Sequence, residues 1–293
     1  ASDVYKRQLF KKAQEVMTNG VPMSWMSKWP GAYPVFVDTA QGAYFTDVDG
    51  NRYVDLCLGD TGSMTGHSPQ ATVEAIKAQM DRGMTAMLPT EDAVLVSREL
   101  ARRFGLPKWQ FTVSATDANR CAIRYSRLVT GRQKTVVIDY CYHGSVDETF
   151  GTLDGSGNTV KRPGNIGAPV DLDVTTRVVE FNNLVAMEEA LAHGDVACIL
   201  MEPAMTNIGI VLPEDGYLEA VGNLAKKYGV VWIIDETHTI SVSAGGMTAA
   251  LGLKPDILTI GKAIAGGLPT GTFGMTDEIA DSIKAKTKRE IID

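Results

Sequence analysis

The stretch VVWIIDETHT, residues 230–239, joins a short apolar run to two adjacent carboxylates. The run is too short for a typical helix and rich in β-branched residues, which predicts a strand buried on both faces. Asp235 and Glu236 follow at its carboxyl end, and alternation along a strand sends their side chains to opposite faces. Burying a carboxylate costs free energy unless a cation or hydrogen-bond donors compensate its charge. The stretch therefore predicts a buried sheet, together with a helix cap, an ion pair or a bound cation at Asp235.

Six similar runs occur elsewhere in the chain, most of them separated by helical spacers. They are QFTVS (110–114), KTVVID (134–139), TRVVEF (176–181), VACILME (196–202), DILTI (256–260) and TFGM (272–275). Several spacers end in glycine, a common helix stop. The pattern predicts an α/β fold with a mainly parallel seven-stranded sheet and helices on both faces. Residues 151–175 lack either periodicity and are predicted to be a long loop.

The N-terminal part follows a different pattern. Alternating runs flank an Asp-Gly pair within residues 43–56, which predicts a β-hairpin. We expect residues 1–65 to form an N-terminal segment of a small lobe that contains this hairpin. Residues 66–293 are then expected to form the major, ligand-binding domain.

Composition disfavours several classes of protein. The 293 residues carry a net charge of −7, so a general nucleic-acid-binding surface is not expected. No apolar run approaches the roughly 18 residues of a membrane span, and no signal peptide opens the chain. Four cysteines without CxxC spacing predict reduced thiols in a cytoplasmic protein. The lack of an initiator methionine and an end within a helical pattern predict a piece of a longer protein.

Ligands of parallel sheets bind beyond the carboxyl ends of the strands, so the residues after each predicted strand are the candidates for a site. These are Ser114 to Asp117, Tyr140 to His143, Glu202 to Asn207, Asp235 to His238, and Gly261 to Gly267. The small residues Ser114, Ala115 and Thr116 stand before a helix predicted to begin near Asp117. They predict a cradle for an anion at the helix start, although an ordinary serine N-cap explains them as well.

Lys262 is the only charged residue of ILTIGKAIAGGLPTGTFG, residues 257–274, and glycines surround it. This pattern fits an amine used as a nucleophile in a crowded site, or alternatively a surface lysine. A P-loop is excluded because position 256, where that motif requires glycine, is aspartate. Tyr142 and His143 follow another predicted strand, where the aromatic ring fits either a planar ligand or the core.

An anion cradle, an aromatic ring, a carboxylate and a lysine are thus predicted at one rim of the sheet. Together they fit an anionic, planar, carbonyl-bearing cofactor, and pyridoxal 5′-phosphate has these parts. No metal site is predicted, because the other histidines offer no ligand spacing with Asp235 and His238. A dinucleotide-binding domain is disfavoured because no GxGxxG motif follows a strand.

Six motifs in order give the chain a resemblance to the class III aminotransferases, which belong to the fold-type-I pyridoxal-phosphate enzymes. The motifs are GAYFTDVDGNRYVDL (42–56), SATDANRCAIRYSRLVTGR (114–132), YHG (142–144), MEPAMTNIGIVLPEDGYLE (201–219), IIDETHT (233–239) and GKAIAGGLPTG (261–271). The resemblance extends from about Leu9 to the end of the chain. It is nearest the branch of glutamate-1-semialdehyde aminomutases and amine transaminases.

The resemblance implies a role for each matched position. Lys262 would hold the cofactor through a Schiff base, and Asp235 would pair with its pyridine nitrogen; these two would be the catalytic residues. The ring would lie between Tyr142 and Thr237. The remaining implied cofactor contacts are Ser114, Ala115 and Thr116 at the phosphate, and Asn207 near the ring. The expected substrate contacts are Trp25, Met26, His143 and Glu202.

Three departures from the family pattern shape the expected function. Ala115 and Thr237 stand where the family usually has glycine and valine. Trp25 and Met26 stand where the aminomutase has a substrate-binding arginine, which favours a transaminase. It would move an amino group between an amine or amino acid and a keto acid, ketone or aldehyde. An intramolecular aminomutase and a catalytically incomplete cofactor-binding fragment stay open.

The resemblance also implies an assembly and a missing part. The family's active sites are shared across a homodimer, so a homodimer is expected. A C-terminal portion of the small domain is expected to be absent from this chain.

Overall fold

The computed structural model describes residues 3–84, 87–167 and 170–287. The chain divides into two compact units, Ala1–Thr85 and Ala86–Asp293. This division lies after the boundary predicted between residues 65 and 66.

The first unit contains a three-stranded antiparallel sheet and two α-helices. In chain order these are α1 Val4–Val16, β1 Val37–Gln41, β2 Tyr44–Asp47, β3 Arg52–Val54 and α2 Gln70–Met80. β2 and β3 form the predicted hairpin, and β1 adds a third strand beside β2 that the sequence did not predict.

The turn of this hairpin fixes the start of α1. The Asp49 carboxylate accepts hydrogen bonds from the amides of Tyr5 (2.8 Å) and Lys6 (3.1 Å) in the first turn of the helix. The buried Lys6 ammonium lies 2.7 Å from the Asp47 carboxylate at the end of β2. Two carboxylates of one hairpin therefore hold the backbone and a side chain of the same helix.

The second unit contains the predicted seven-stranded sheet. Its helices and strands are α3 Glu91–Phe104, β4 Lys108–Thr112, α4 Ala115–Thr130, β5 Lys134–Ile138, β6 Gly151–Leu153, β7 Thr159–Lys161, α5 Leu172–Thr175, β8 Thr176–Val179, α6 Leu184–Ala192, β9 Val196–Met201, α7 Tyr217–Tyr228, β10 Val231–Asp235, α8 Gly246–Ala250, β11 Ile257–Ile260, β12 Gly271–Met275 and α9 Asp277–Thr287. The strand order is β4-β12-β11-β10-β9-β5-β8.

The direction of the strands places the functional edge. All neighbours from β11 to β8 are parallel, whereas β12 is antiparallel to both β11 and β4. β12 therefore begins at the edge where the parallel strands end. Every residue of β9, β10, β11 and β12 is buried, so both faces of the sheet are covered, because successive side chains point to opposite faces. The predicted fold class is confirmed.

The predicted loop at residues 151–175 is wrong in part. β6 and β7 form a short antiparallel hairpin, and α5 is a single helical turn. The Asp154 carboxylate accepts hydrogen bonds from the amides of Ser156 and Asn158 and so shapes the hairpin turn. Each strand has only three residues, too few for an alternating pattern to be visible in the sequence.

The structure describes the state of the cysteines and the length and polarity of the helices. Cys57, Cys121, Cys141 and Cys198, all within the described residues, form no disulfide. Within residues 3–84, 87–167 and 170–287, no helix is both long and apolar enough to cross a membrane.

Candidate active site

Polar side chains from neighbouring strands meet at the carboxyl edge of the sheet in the second unit. Asp235 ends β10 and pairs in register with Thr259 of β11, three residues before Lys262. Glu202 follows β9, and His143 lies beyond the end of β5. Because β10, β9 and β5 are consecutive in the sheet, Asp235, Glu202 and His143 are brought together, and β11 beside β10 leads to Lys262.

Asp235 is a buried carboxylate with three donors. Its Oδ2 accepts hydrogen bonds from Asn119 Nδ2 (2.9 Å) and His143 Nδ1 (2.9 Å), and its Oδ1 accepts one from the Thr237 amide (3.0 Å). Burial opposes ionisation, but the hydrogen bond and charge of His143 outweigh it, so the pKa of Asp235 is lowered.

His143 differs from its predicted role as a substrate contact. It is 1% exposed, and its Nδ1–H donates to the ionised Asp235. Burial opposes its charged form, yet Cys141 and Asp235 together raise the pKa of His143 well above its ordinary value. The ring faces the carboxylate and is enclosed by protein, which suits a residue that orients Asp235.

Sequence reasoning missed Asn119 and Thr259. Asn119 Nδ2 donates to Asp235 and to the main-chain oxygen of His143 (3.1 Å), and Asn119 Oδ1 accepts from the Thr259 hydroxyl (2.7 Å). Both residues are fully buried. The sequence did hold a signal for Asn119, which lies inside a helical pattern. Asparagine is unfavourable within a helix unless its amide has a specific partner.

Glu236 faces away from Asp235, in agreement with the predicted alternation. Its buried carboxylate accepts hydrogen bonds from the Thr239 hydroxyl and from the amides of Met247 and Thr248. Glu236 therefore organises the start of α8, and only Asp235 is available to the site.

The glycines around Lys262 allow strand ends to touch the start of α4. A Cβ at Gly261 would lie 2.6 Å from Ala115 Cβ, and one at Gly271 would lie 2.1 Å from the main-chain oxygen of Ser114. No side chain fits at such distances. Lys262 itself has φ 46°, in the left-handed region that residues other than glycine rarely adopt and that is enriched at functional sites.

The start of α4 combines an N-cap with the first amides of a helix. The Ser114 hydroxyl accepts a hydrogen bond from the Asp117 amide (3.2 Å) and donates to the Asp117 carboxylate (2.8 Å). The serine is therefore an ordinary cap that also engages the carboxylate, and the helix begins at Ala115 rather than near Asp117. The first amides of a helix have no partner within it, so those of Ala115 and Thr116 suit an anion.

Three further predicted contacts lie on the loops of this edge. Tyr142 is exposed, and its contact with a ring stays a prediction. Asn207 donates from Nδ2 to the main-chain oxygen of Tyr140 (3.0 Å) and so ties two loops together. The Thr237 hydroxyl is buried and finds no hydrogen-bond partner within the described part of the chain.

Trp25 and Met26 belong to the first unit. They lie on a short 3-10 helix, Ser24–Ser27, and both side chains are exposed. Their role in binding a substrate stays a prediction.

Burial moves the ionisation of the Glu202 carboxyl group close to neutral pH. The side chain is buried and accepts a hydrogen bond from the Thr206 hydroxyl. Burial is the main cause that raises the pKa of Glu202 to about 7. In the unfolded chain its pKa returns to an ordinary value, so the folded state binds more protons between these two values and stability falls as the pH rises.

Relative to the wild type, Glu202→Gln is expected to be stabilised more at pH 8 than at pH 5. The amide cannot ionise, so the variant avoids a penalty of up to about 3 kcal/mol that develops in the wild type above its ordinary pKa. Thermal unfolding midpoints of both proteins at the two pH values measure this effect. The exposed Glu219→Gln is the control, with no change in the difference expected. A Glu202→Gln effect that is the same at both pH values would contradict the assignment.

The topology and the polar groups at the carboxyl edge of the sheet define an α/β protein whose candidate site lies at that edge. Residues 25–288 match the aminotransferase class-III family, and the chain belongs to that family. Its fold is that of the fold-type-I pyridoxal-phosphate transferases.

A curated relative is the glutamate-1-semialdehyde 2,1-aminomutase of Methanocella arvoryzae, which is 37% identical over 95% of this chain and 66% of its own length. A crystal structure of a glutamate-1-semialdehyde aminomutase from Pseudomonas aeruginosa PAO1 has a TM-score of 0.95 and 48% identity, with 98% of this chain and 63% of that one covered. A lysine-to-alanine variant of an enzyme with the same name and source, crystallised with PMP, has a TM-score of 0.94 and 48% identity, with 96% and 62% covered.

A more distant structural neighbour carries a different activity in its name. An ω-transaminase from Sphaerobacter thermophilus has a TM-score of 0.88 and 29% identity, with 94% of this chain and 64% of that one covered. The chain thus spans less than two thirds of the length of each protein compared.

Proposed function

We propose that this chain binds pyridoxal 5′-phosphate and acts as a transaminase between an amine or amino acid and a keto acid, ketone or aldehyde. The proposal rests on the burial, charge and hydrogen-bond partners of Asp235. Asp235 is a buried, ionised carboxylate held by Asn119, His143 and the Thr237 amide at the end of β10, the strand beside the one that leads to Lys262. A protonated pyridine nitrogen is a donor of the required charge and shape.

The surrounding residues fit the rest of the cofactor. The amides of Ala115 and Thr116, with the capped Ser114, provide an anion site for the phosphate. Tyr142 and Thr237 are proposed to contact the two ring faces, and the buried Thr237 residue would give one face a polar hydroxyl contact. Asn207 is proposed to lie beside the ring. When bound, the protonated ring supplies an electron sink for charge that develops on the substrate carbon.

The chain's own residues would carry the proton transfers. Lys262 is proposed to hold the cofactor covalently through its amine and, once released by an incoming amine, to take a proton from the substrate carbon. It then returns that proton as a general acid. Asp235 keeps the ring nitrogen protonated, and His143 and Asn119 keep Asp235 ionised and oriented.

An intramolecular aminomutase is the second candidate. The names of the relatives from Methanocella arvoryzae and Pseudomonas aeruginosa favour it. The exposed Trp25 and Met26, in place of an arginine for a substrate carboxylate, favour the transaminase. The two reactions differ in one requirement, since only a transaminase needs a separate carbonyl acceptor.

The test is a half-reaction of the purified chain with pyridoxal phosphate and a panel of amines and amino acids. A transaminase releases one carbonyl product for each cofactor that is aminated, as measured by visible absorption and product analysis. An aminomutase isomerises its substrate without releasing a separate carbonyl product. A chain that binds the cofactor but reacts with no donor would be an incomplete fragment, and a chain that does not bind it would refute the proposal.

We also propose a homodimer with shared sites, as the family resemblance implies. Three consecutive apolar residues of α3, Val94, Leu95 and Val96, are exposed in the single chain, which supports a covered surface there. Sedimentation of the cofactor-loaded sample measures the assembly. A cytoplasmic location stays a prediction.

A further inference from the structure

A buried chain of hydrogen bonds reaches Asp235 from β11 through α4. Thr259 Oγ1 lies 2.7 Å from Asn119 Oδ1, and Asn119 Nδ2 lies 2.9 Å from Asp235 Oδ2. Thr259 and Asn119 are fully buried, and Asp235 is 3% exposed. Water is excluded from such groups, so a missing partner within the chain is not replaced by solvent.

The charge on Asp235 fixes the direction of every bond in this chain. An ionised carboxylate only accepts, so the Asn119 amide must turn its Nδ2 toward Asp235. The second hydrogen of Nδ2 reaches the main-chain oxygen of His143 at 3.1 Å. The amide oxygen is left facing β11, where the hydroxyl of Thr259 is its donor. The opposite amide orientation would set the oxygen against two acceptors.

We propose that Thr259 is a positioning residue for Asp235: its hydroxyl fixes the Asn119 amide, which in turn fixes the carboxylate. The inference rests on the proposed function, in which Asp235 holds the ring nitrogen of pyridoxal phosphate. Thr259 does not reach the cofactor in this scheme. It acts on the protonation of the ring only through the two residues that follow it in the chain.

The hydroxyl of Thr259 can be removed alone. The main-chain oxygen of Thr259 accepts a hydrogen bond from the Glu236 amide at 2.9 Å, and valine preserves this bond. Valine also has nearly the same shape, so no cavity opens. Cys141 and Glu202 interact electrostatically with Asp235 or His143, and Thr259→Val changes neither of them nor that pair.

The test uses the protein loaded with pyridoxal phosphate that carries ¹⁵N in its ring, because the nitrogen chemical shift reports ring protonation directly. In Thr259→Val we expect the midpoint of ring deprotonation to fall by about one pH unit and the dissociation constant of the cofactor to rise about tenfold. Thr259→Ser keeps the hydroxyl and should behave as the wild type.

Thr272→Val is the matched control. Thr272 is a buried threonine on the adjacent strand β12, and its hydroxyl donates to the main-chain oxygen of Gln110 at 2.7 Å, outside the chain that ends at Asp235. We expect this variant to lose stability but to keep the ring titration of the wild type. If Thr259→Val titrates as Thr272→Val does, the positioning role is overturned.

Two further comparisons complete the test. In an Asn119→Ala background, Thr259→Val should shift the titration no further, because the intermediate amide is already absent; a full additional shift would contradict action through Asn119. If the wild-type chain itself binds no pyridoxal phosphate, the proposed function fails and the inference falls with it. If the wild type binds and only the Thr259 effect is missing, the proposed function survives.

Discussion

Lys262→Ala is expected to lower the turnover number by at least about 10⁴-fold, the largest effect of any single substitution in this chain. In the proposed function, the variant lacks both the amine that holds the cofactor and the base that moves the substrate proton. Alanine and lysine are strained alike at φ 46°, so the backbone conformation of this position should not decide the outcome. Pyridoxal phosphate should still bind non-covalently, because the anion site and Asp235 are unchanged.

Covalent trapping measures this prediction without relying on turnover. Borohydride reduction should fix the cofactor to the wild type, and mass spectrometry should find the added mass on the peptide that contains Lys262. The exposed Lys254→Ala is the control and should be labelled and active like the wild type. Lys262→Arg keeps a cation but no usable nucleophile, so it should resemble Lys262→Ala. Multiple turnovers by purified Lys262→Ala would disprove the assignment.

Asp235→Asn is expected to slow the half-reaction with an amine by about 10²- to 10³-fold. Asparagine is neutral, so the ring nitrogen is no longer held in its protonated form and charge on the substrate carbon loses its sink. The covalent bond to Lys262 should survive, since that residue is untouched. Asparagine also turns an NH₂ group toward the donors of His143 or Asn119, which is expected to lower stability as well.

Asp256→Asn separates the electrostatic effect from a general loss of stability. Asp256 is a carboxylate at the other end of β10 and β11 from Asp235. Its Oδ2 accepts a hydrogen bond from the Trp232 amide at 2.8 Å. This variant should be destabilised but should react with amines at the normal rate. Stopped-flow absorption with circular dichroism measures both properties. A folded Asp235→Asn protein with a near-normal rate would remove Asp235 from the ring-nitrogen role.

The sequence alone determined the local and periodic features of this protein. Seven apolar runs gave the seven strands, because burial on both faces leaves a continuous apolar pattern. The Asp-Gly pair gave the hairpin of the first unit. The ends of the strands made Asp235 and Lys262 candidates for a site, because ligand sites of parallel sheets lie there. Each of these signals spans only a few consecutive residues.

Only the tertiary structure decided which of these features meet. β12 lies antiparallel between β4 and β11, and this placement brings Gly271 against Ser114. Asn119 reaches Asp235 across 116 positions and Thr259 across 140, and His143 turns inward to the same carboxylate. Periodicity reports whether a residue is buried, but not against which distant residue it packs. Hydrogen-bond partners so far apart in the chain follow from strand order and helix placement, which the packing of the whole unit sets.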